Sequence, residues 1–226
     1  MADKTRDPVN QVTVEIAEKF GVTRLGIMNN QVWHEDPRRL VFTMARYKFV
    51  SKMLSGRKNV LELGCGDGFC ARIVRQEVAA LTCTDYDPLF IKDMESRQDP
   101  AWKITAKCHD MLVGPLDGDF DAAYSLDVLE HIPKEDENRF IENIKRSLTA
   151  SAALIVGMPS LESQAYASPP SRAGHINCKT GPDFKATMER HFENVFLFTM
   201  NDEVVHTGFT KMAHYLLALC TSKKSS

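Results

Sequence analysis

Apolar positions change period along this 226-residue chain. Near the N-terminus Val12, Ile16 and Phe20 recur every four residues and stop at Gly21. A polar, turn-rich stretch containing Asn29 and Asn30 follows. Asp36-Pro37 then reads as a helix start, and Leu40, Met44, Tyr47, Val50 and Leu54 form one stripe at helical spacing that ends at Gly56. Both stripes are expected to pack into a core. From residue 59 short apolar runs alternate with amphipathic ones. Strands are expected at 59–63, 80–84, 102–108, 120–126, 152–157, 195–200 and 213–220, and helices at 69–77, 89–96, 135–148 and 182–192. Such alternation predicts an α/β fold with a mainly parallel sheet and helices on both faces. The last two strands are too close in sequence for a crossover helix, so an antiparallel pair is expected there. The expected division is a helical cap over 1–56 and a seven-stranded sheet domain over 57–226, with a frayed tail at 222–226.

Composition narrows the function classes. With 28 basic and 30 acidic residues the net charge is -2, so no global positive field draws in nucleic acid or an anionic membrane. No apolar run reaches the roughly 20 residues a membrane span needs. The start, MADKTRDPVNQ, lacks the apolar stretch of a signal peptide, which predicts a cytoplasmic protein. Six cysteines (Cys65, Cys70, Cys83, Cys108, Cys178, Cys220) form no CxxC pair, so a zinc site built on cysteines is not expected. Cys83 and Cys108 fall in strand-like runs and are expected to act as small hydrophobes.

Ligands of such sheets bind outside the carboxyl ends of the strands. The turn after the first strand is Glu62-Leu63-Gly64-Cys65-Gly66-Asp67-Gly68, where three glycines let the backbone curl and approach a ligand closely. The second strand ends in Thr84-Asp85-Tyr86-Asp87-Pro88. There Asp85 is placed to accept from two ribose hydroxyls, and Asp87 to cap the next helix. The third ends in His109-Asp110-Met111, where Asp110 can accept from an adenine amine and Met111 can pack on the ring. The fourth ends in Leu126-Asp127-Val128-Leu129-Glu130-His131-Ile132-Pro133.

Together, ExGxGxG, TDYDP, HDM and FDAAYSLDVLEHIP resemble a class I S-adenosylmethionine-dependent methyltransferase, closely over about residues 50–157. The resemblance implies a Rossmann-like fold and S-adenosyl-L-methionine as cofactor. It also implies that Gly64, Cys65, Gly66 and Gly68 hold the methionine part, with Glu62 organising the turn and Asp85 on the ribose. Asp110 and Met111 bracket the adenine; Tyr86, a candidate ring near the sulfonium, and Leu126 are further candidate cofactor residues. The N-terminal helices resemble the cap of such enzymes, on which Arg46 is a candidate partner for the cofactor carboxylate. A nicotinamide dehydrogenase would carry GxGxxG, whereas this turn is GxGxG followed by Phe69.

An alcohol acceptor needs a base. His175, in the long connection 158–180, is the first candidate and His131, after the fourth strand, the second. Asn177 in the same connection, and Asn201 and His206 after the sixth strand, are candidate substrate contacts. His34, His109, His191 and His214 are expected to be structural. Asp127, Glu130 and His131 have the spacing of one helical turn, and with His175 make an oxygen–nitrogen set able to hold a divalent cation; no metal is assigned. The expected function is methyl transfer to a small-molecule or glycan-like acceptor, most simply on oxygen. The alternatives are an RNA or protein methyltransferase and a non-catalytic subunit that keeps the fold.

Overall fold

The N-terminal segment forms three helices. In the computed structural model, which describes residues 4–225, α1 spans Gln11–Phe20, α2 Ile27–Glu35 and α3 Arg38–Met53. The ends of the expected cap and tail, residues 1–3 and 226, lie outside the described residues. Asp36 accepts from the Arg38 backbone N–H at the start of α3. Leu40, Tyr47, Val50 and Leu54 are buried as their spacing predicts. The α1 stripe behaves differently, because Val12, Ile16 and Phe20 are 56%, 52% and 52% exposed. A helical period marks an apolar face, but burial also needs a surface opposite it, and α1 finds none among the described residues. Polar α2 carries no apolar period and escaped the pattern.

The rest alternates strand and helix. In order come β1 (Val60–Leu63), α4 (Ala71–Arg75), β2 (Leu81–Asp85), α5 (Pro88–Ser96), β3 (Thr105–Cys108) and β4 (Phe120–Leu126). Then follow α6 (Glu137–Ser147), β5 (Leu148–Pro159), α7 (Pro169–Gly174), α8 (Gly181–Glu189), β6 (Phe192–Asn201), β7 (Val204–His206) and β8 (Tyr215–Lys223). The sheet order is β3-β2-β1-β4-β5-β8-β6-β7. The first five of these strands are parallel, and β8 runs antiparallel to both neighbours, β5 and β6. The fold is therefore α/β and Rossmann-like, with antiparallel C-terminal strands.

The sheet has eight strands rather than seven. The additional one, β7, pairs Val204–His206 with Thr199–Asn201 across a two-residue turn, and three residues of mixed polarity are too few for a period. The helix expected at 69–77 shrinks to α4, and α7 forms inside the proline-bearing connection. Cys108 is exposed on the edge strand β3, not packed like Cys83. The strand β8 reaches Lys223, so the tail is ordered further than its polarity suggests. No helix among the described residues is long and apolar enough to cross a membrane.

Strand residues alternate between two cores. Val60 joins Tyr47, Val50, Leu54 and Val74 on the α3–α4 face. Leu61 and Leu63 join Phe140, Ile144, Phe184 and Met188 on the α6–α8 face. Each large apolar side chain buried this way contributes about 1.5–3 kcal/mol. At the foot of the second core His191 is buried, with Nδ1 on the Glu142 carboxylate at 2.8 Å. Desolvation holds its pKa below 6.5, opposed by Glu142 and assisted by Lys145 and Arg190. As pH falls below that value the unfolded chain takes up a proton that the folded chain resists, so stability is lost. His191→Gln is expected to flatten the fall in urea midpoint between pH 7 and pH 5; parallel slopes for variant and parent would contradict this origin.

Candidate functional site

The turn between β1 and α4 sits at the carboxyl edge of the sheet. Gly64, Gly66 and Gly68 have φ of +70°, +53° and +64°, a region that favours glycine. At Gly64 a Cβ would also lie 2.2 Å from Val128 Cγ2, so both conformation and space exclude a side chain. Gly64 N and Cys65 N donate to the Thr84 carbonyl at 2.8 and 2.9 Å, tying the turn to β2. Gly66 N donates to Asp85 Oδ2 at 2.9 Å, and Asp87 N to Asp85 Oδ1 at the same distance. Asp87 caps α5 by accepting from Leu89 N, as its position predicts.

Asp85 is thus a buried carboxylate held at the lip of a bare turn. Each of its oxygens takes one backbone amide and keeps a lone pair, which suits a vicinal diol. The residues present fit a nucleoside-bearing cofactor.

Glu62 works one layer down. Its carboxylate accepts from Tyr47 Oη at 2.6 Å, Tyr124 Oη at 2.7 Å and Cys83 Sγ at 3.0 Å. It therefore joins α3, β4 and β2 beneath the turn, and its side chain makes no hydrogen bond to the turn itself. Burial pushes the Glu62 carboxyl above its usual range, against the pull of these three donors.

The part played by α2 was not legible in the sequence. Asn29 N and Nδ2 donate to the two Asp67 carboxylate oxygens at 2.8 and 2.7 Å. Asp67 also accepts from Phe69 N, and its carbonyl accepts from Arg97, which is paired with Asp93. The Met28 sulfur stands 2.5 Å from where a Gly66 Cβ would be. Hence α2 lies directly on the glycine turn. Two surface cavities of about 430 and 520 Å³ lie elsewhere, one beside α3 and α4 and one by Lys134, Glu137 and Lys179. The only signals for Asn29 and Asp67 were an acid inside a glycine turn and an asparagine in a polar stretch.

Other expected cofactor residues are placed as follows. Cys65 and Leu126 are buried beneath the edge. Tyr86 is 74% exposed. Asp110 spends one oxygen on Leu112 N at 2.8 Å. Met111 is buried among Leu61, Leu63 and Phe140, so its side chain belongs to the α6-side core and has little surface for an adenine ring. Arg46 reaches the rim, where Nη1 meets Asp127 Oδ2 at 2.7 Å and the guanidinium lies 3.7 Å from the Tyr215 ring centroid. Its partner here is a carboxylate of the chain; Asp127 holds it from a backbone with φ of +57°.

His131 and His175, 44 positions apart in sequence, do come together. Their ring centroids are 5.1 Å apart at 70°. His131 Nδ1 is 2.9 Å from the Gly174 carbonyl and His175 Nδ1 is 2.9 Å from Gln164 Oε1. Burial, and then the neighbouring His131, push the His175 pKa down, which keeps the ring neutral. Glu130, next to His131 in the chain, is wholly buried.

The substrate candidates are not gathered with this pair. Asn177 is buried and donates to Glu137 Oε2 while accepting from Lys179 Nζ, inside the Lys179–Glu137 ion pair. Its side chain is committed there by the cost of leaving that pair unsolvated. Asn201 and His206 bond one another at 2.8 Å, and His206 also meets Thr199 and Gly208. They brace the β6–β7 hairpin, the shorter turn that the mixed sequence 201–208 concealed. Among the other histidines, His214 Nε2 accepts from Asp202 N and so closes the same hairpin.

Comparison with known proteins agrees with this geometry. The methyltransferase domain family matches residues 60–151. A probable S-adenosylmethionine-dependent methyltransferase of Mycobacterium tuberculosis is 29% identical over 119 residues, covering 51% of this chain and 42% of the relative. The chain thus matches less than half the length of that relative. Among solved structures, the N-methyltransferase NodS from Bradyrhizobium japonicum WM9, in complex with S-adenosyl-L-homocysteine, has a TM-score of 0.62 at 20% identity, over 83% of this chain and 89% of that one. A TehB-like SAM-dependent methyltransferase from Corynebacterium glutamicum has a TM-score of 0.59 at 22% identity, over 81% and 89%. At such identities these structures speak for the fold. The matched methyltransferase domain, residues 60–151, lies on the very strands and turns that build the cradle, and over that region the chain is similar to S-adenosylmethionine-dependent methyltransferases.

Proposed function

We propose that this protein methylates a small-molecule or glycan-like acceptor, on oxygen. The observation that carries the reading is the His131–His175 pair, two imidazoles meeting at the carboxyl edge of the parallel strands. When bound, S-adenosylmethionine supplies a sulfonium methyl group that needs no further activation. The chain's own task is then to bind, orient and desolvate the acceptor and to receive its proton. Gly64, Gly66 and Gly68 give close backbone approach, Asp85 takes the ribose diol, and the cap residues Met28 and Asn29 shield the turn from water. Arg46, Asp127 and Tyr215 form one wall beside the imidazoles. The weakly acidic chain favours a small acceptor over RNA, and free cysteines agree with a reducing, cytoplasmic setting.

The test is a panel of hydroxylated metabolites and sugars assayed for S-adenosylhomocysteine release. With a responding acceptor, His175→Ala is expected to lower kcat by about 10²-fold or more, with cofactor affinity unchanged. An unchanged kcat removes His175 from proton transfer. Failure to bind S-adenosylhomocysteine at millimolar concentration removes the whole reading.

A further inference from the structure

We propose that Glu130, His131 and His175 form a binding site for a borderline divalent cation such as Zn²⁺ or Co²⁺. One ligand atom from each of the three lies within 4.8 Å of the others. Two groups bound to one ion at about 2.1 Å are at most about 4.2 Å apart, so small side-chain rotations close the site.

Two independent observations point to a ligand here. First, Glu130 is wholly buried, and neither Oε1 nor Oε2 has a hydrogen-bond partner. Asn177 N binds the Glu130 backbone carbonyl and leaves the carboxylate alone. A buried carboxylate with both oxygens unsatisfied is costly, and a cation relieves that cost. Second, hydrogen bonding at Nδ1 leaves each imidazole one ring nitrogen for a ligand. The Gly174 and Gln164 oxygens that face the two Nδ1 atoms can only accept, so Nδ1 carries the proton and Nε2 the free lone pair. Outer-shell carbonyls play this part for metal-bound histidines generally. Gly174 permits it, because a Cβ there would stand 3.3 Å from the His131 ring. Asp127 does not belong to the set, since its carboxylate is turned to Arg46.

Two imidazole nitrogens and one carboxylate suit zinc or a neighbouring transition ion better than magnesium or calcium, which prefer all-oxygen shells. Three protein ligands leave coordination positions open. An acceptor hydroxyl taking one would release its proton to water at lower pH, the ion then doing the polarising that the free imidazole pair does without it. That last role rests on the proposed function; binding of the ion does not.

The experiment uses the full chain stripped of metal with a chelator. Zn²⁺ is titrated by calorimetry and Co²⁺ by visible absorption. One saturable site is expected. Affinity should fall about 100-fold or more in Glu130→Gln, His131→Ala and His175→Ala, and about tenfold or more in Gln164→Ala. It should be unchanged in His34→Ala, an exposed position on α2. S-adenosylhomocysteine binding on the same samples reports that each variant is folded. No saturable binding of Zn²⁺ or Co²⁺ below millimolar concentration, or equal affinity in parent and ligand variants, overturns the proposal. Ion binding without S-adenosylhomocysteine binding in the parent would leave this site standing and remove the methyl-transfer reading instead.

Discussion

Asp85→Ala is expected to weaken S-adenosylhomocysteine binding by about 100-fold or more, equivalent to about 2.7 kcal/mol. The reason lies in how the carboxylate is set. Gly66 N and Asp87 N fix both oxygens at the lip of the turn, so no rotamer search precedes binding. A hydrogen bond to a charged group contributes about 1.5–3 kcal/mol, and a diol can make two. Alanine also deprives those two amides of their acceptor, so the turn itself loosens. Asp85→Asn separates the effects: one amide keeps its oxygen, the charge is gone, and an intermediate affinity is expected. Calorimetric titration of the three proteins checks this, with melting curves as the control for folding. Equal affinity in all three would mean that the ribose is held elsewhere.

Glu62→Ala is expected to cost about 2–4 kcal/mol of stability, read as a lower urea midpoint. Two phenols and a thiol lose their shared acceptor in a place water does not reach. The Tyr47 bond is also what ties α3 to β1, so cofactor affinity should fall together with stability. In Glu62→Gln the volume and one carbonyl oxygen remain, and the loss should be smaller. An unchanged midpoint for the alanine variant would show that the three donors find other partners.

How much of this was legible in the sequence depended on whether the signal was local. The glycine turn, Asp85 and Asp87 were readable because strand, turn and cap chemistry act within a few residues, and the structure places all three together. The stripe of α3 was readable by its period. The identical logic failed for α1, whose stripe meets no opposing surface among the described residues. It failed in the other direction for α2, where a helix without an apolar face is held by Asn29 on Asp67, a contact spanning 38 residues. Met111 lies three residues past the end of β3, and the turn it sits in carries its side chain inward to the α6-side core, a direction that strand periodicity does not set. His131 and His175 were each readable as rim residues and were grouped as one possible set; what the sequence did not show is how they meet, through the fold-back of the connection 160–179 by the Ser160–Lys179 bridge and α7. Asn201 and His206 were misplaced for a similar reason: a two-residue turn let them pair with one another.

The position of β8 bears on how the molecule is made. This strand is made after the other seven described strands yet lies inside the sheet, its backbone satisfied by β5 on one side and β6 on the other. Until it leaves the ribosome, β5 and β6 each present an open edge rich in apolar side chains, the kind of surface that invites mispairing between nascent chains. The parallel half can assemble early, whereas completion of the antiparallel half waits for residues 215–223. A premature stop before Tyr215 would therefore yield an aggregating polypeptide instead of a shortened, soluble one.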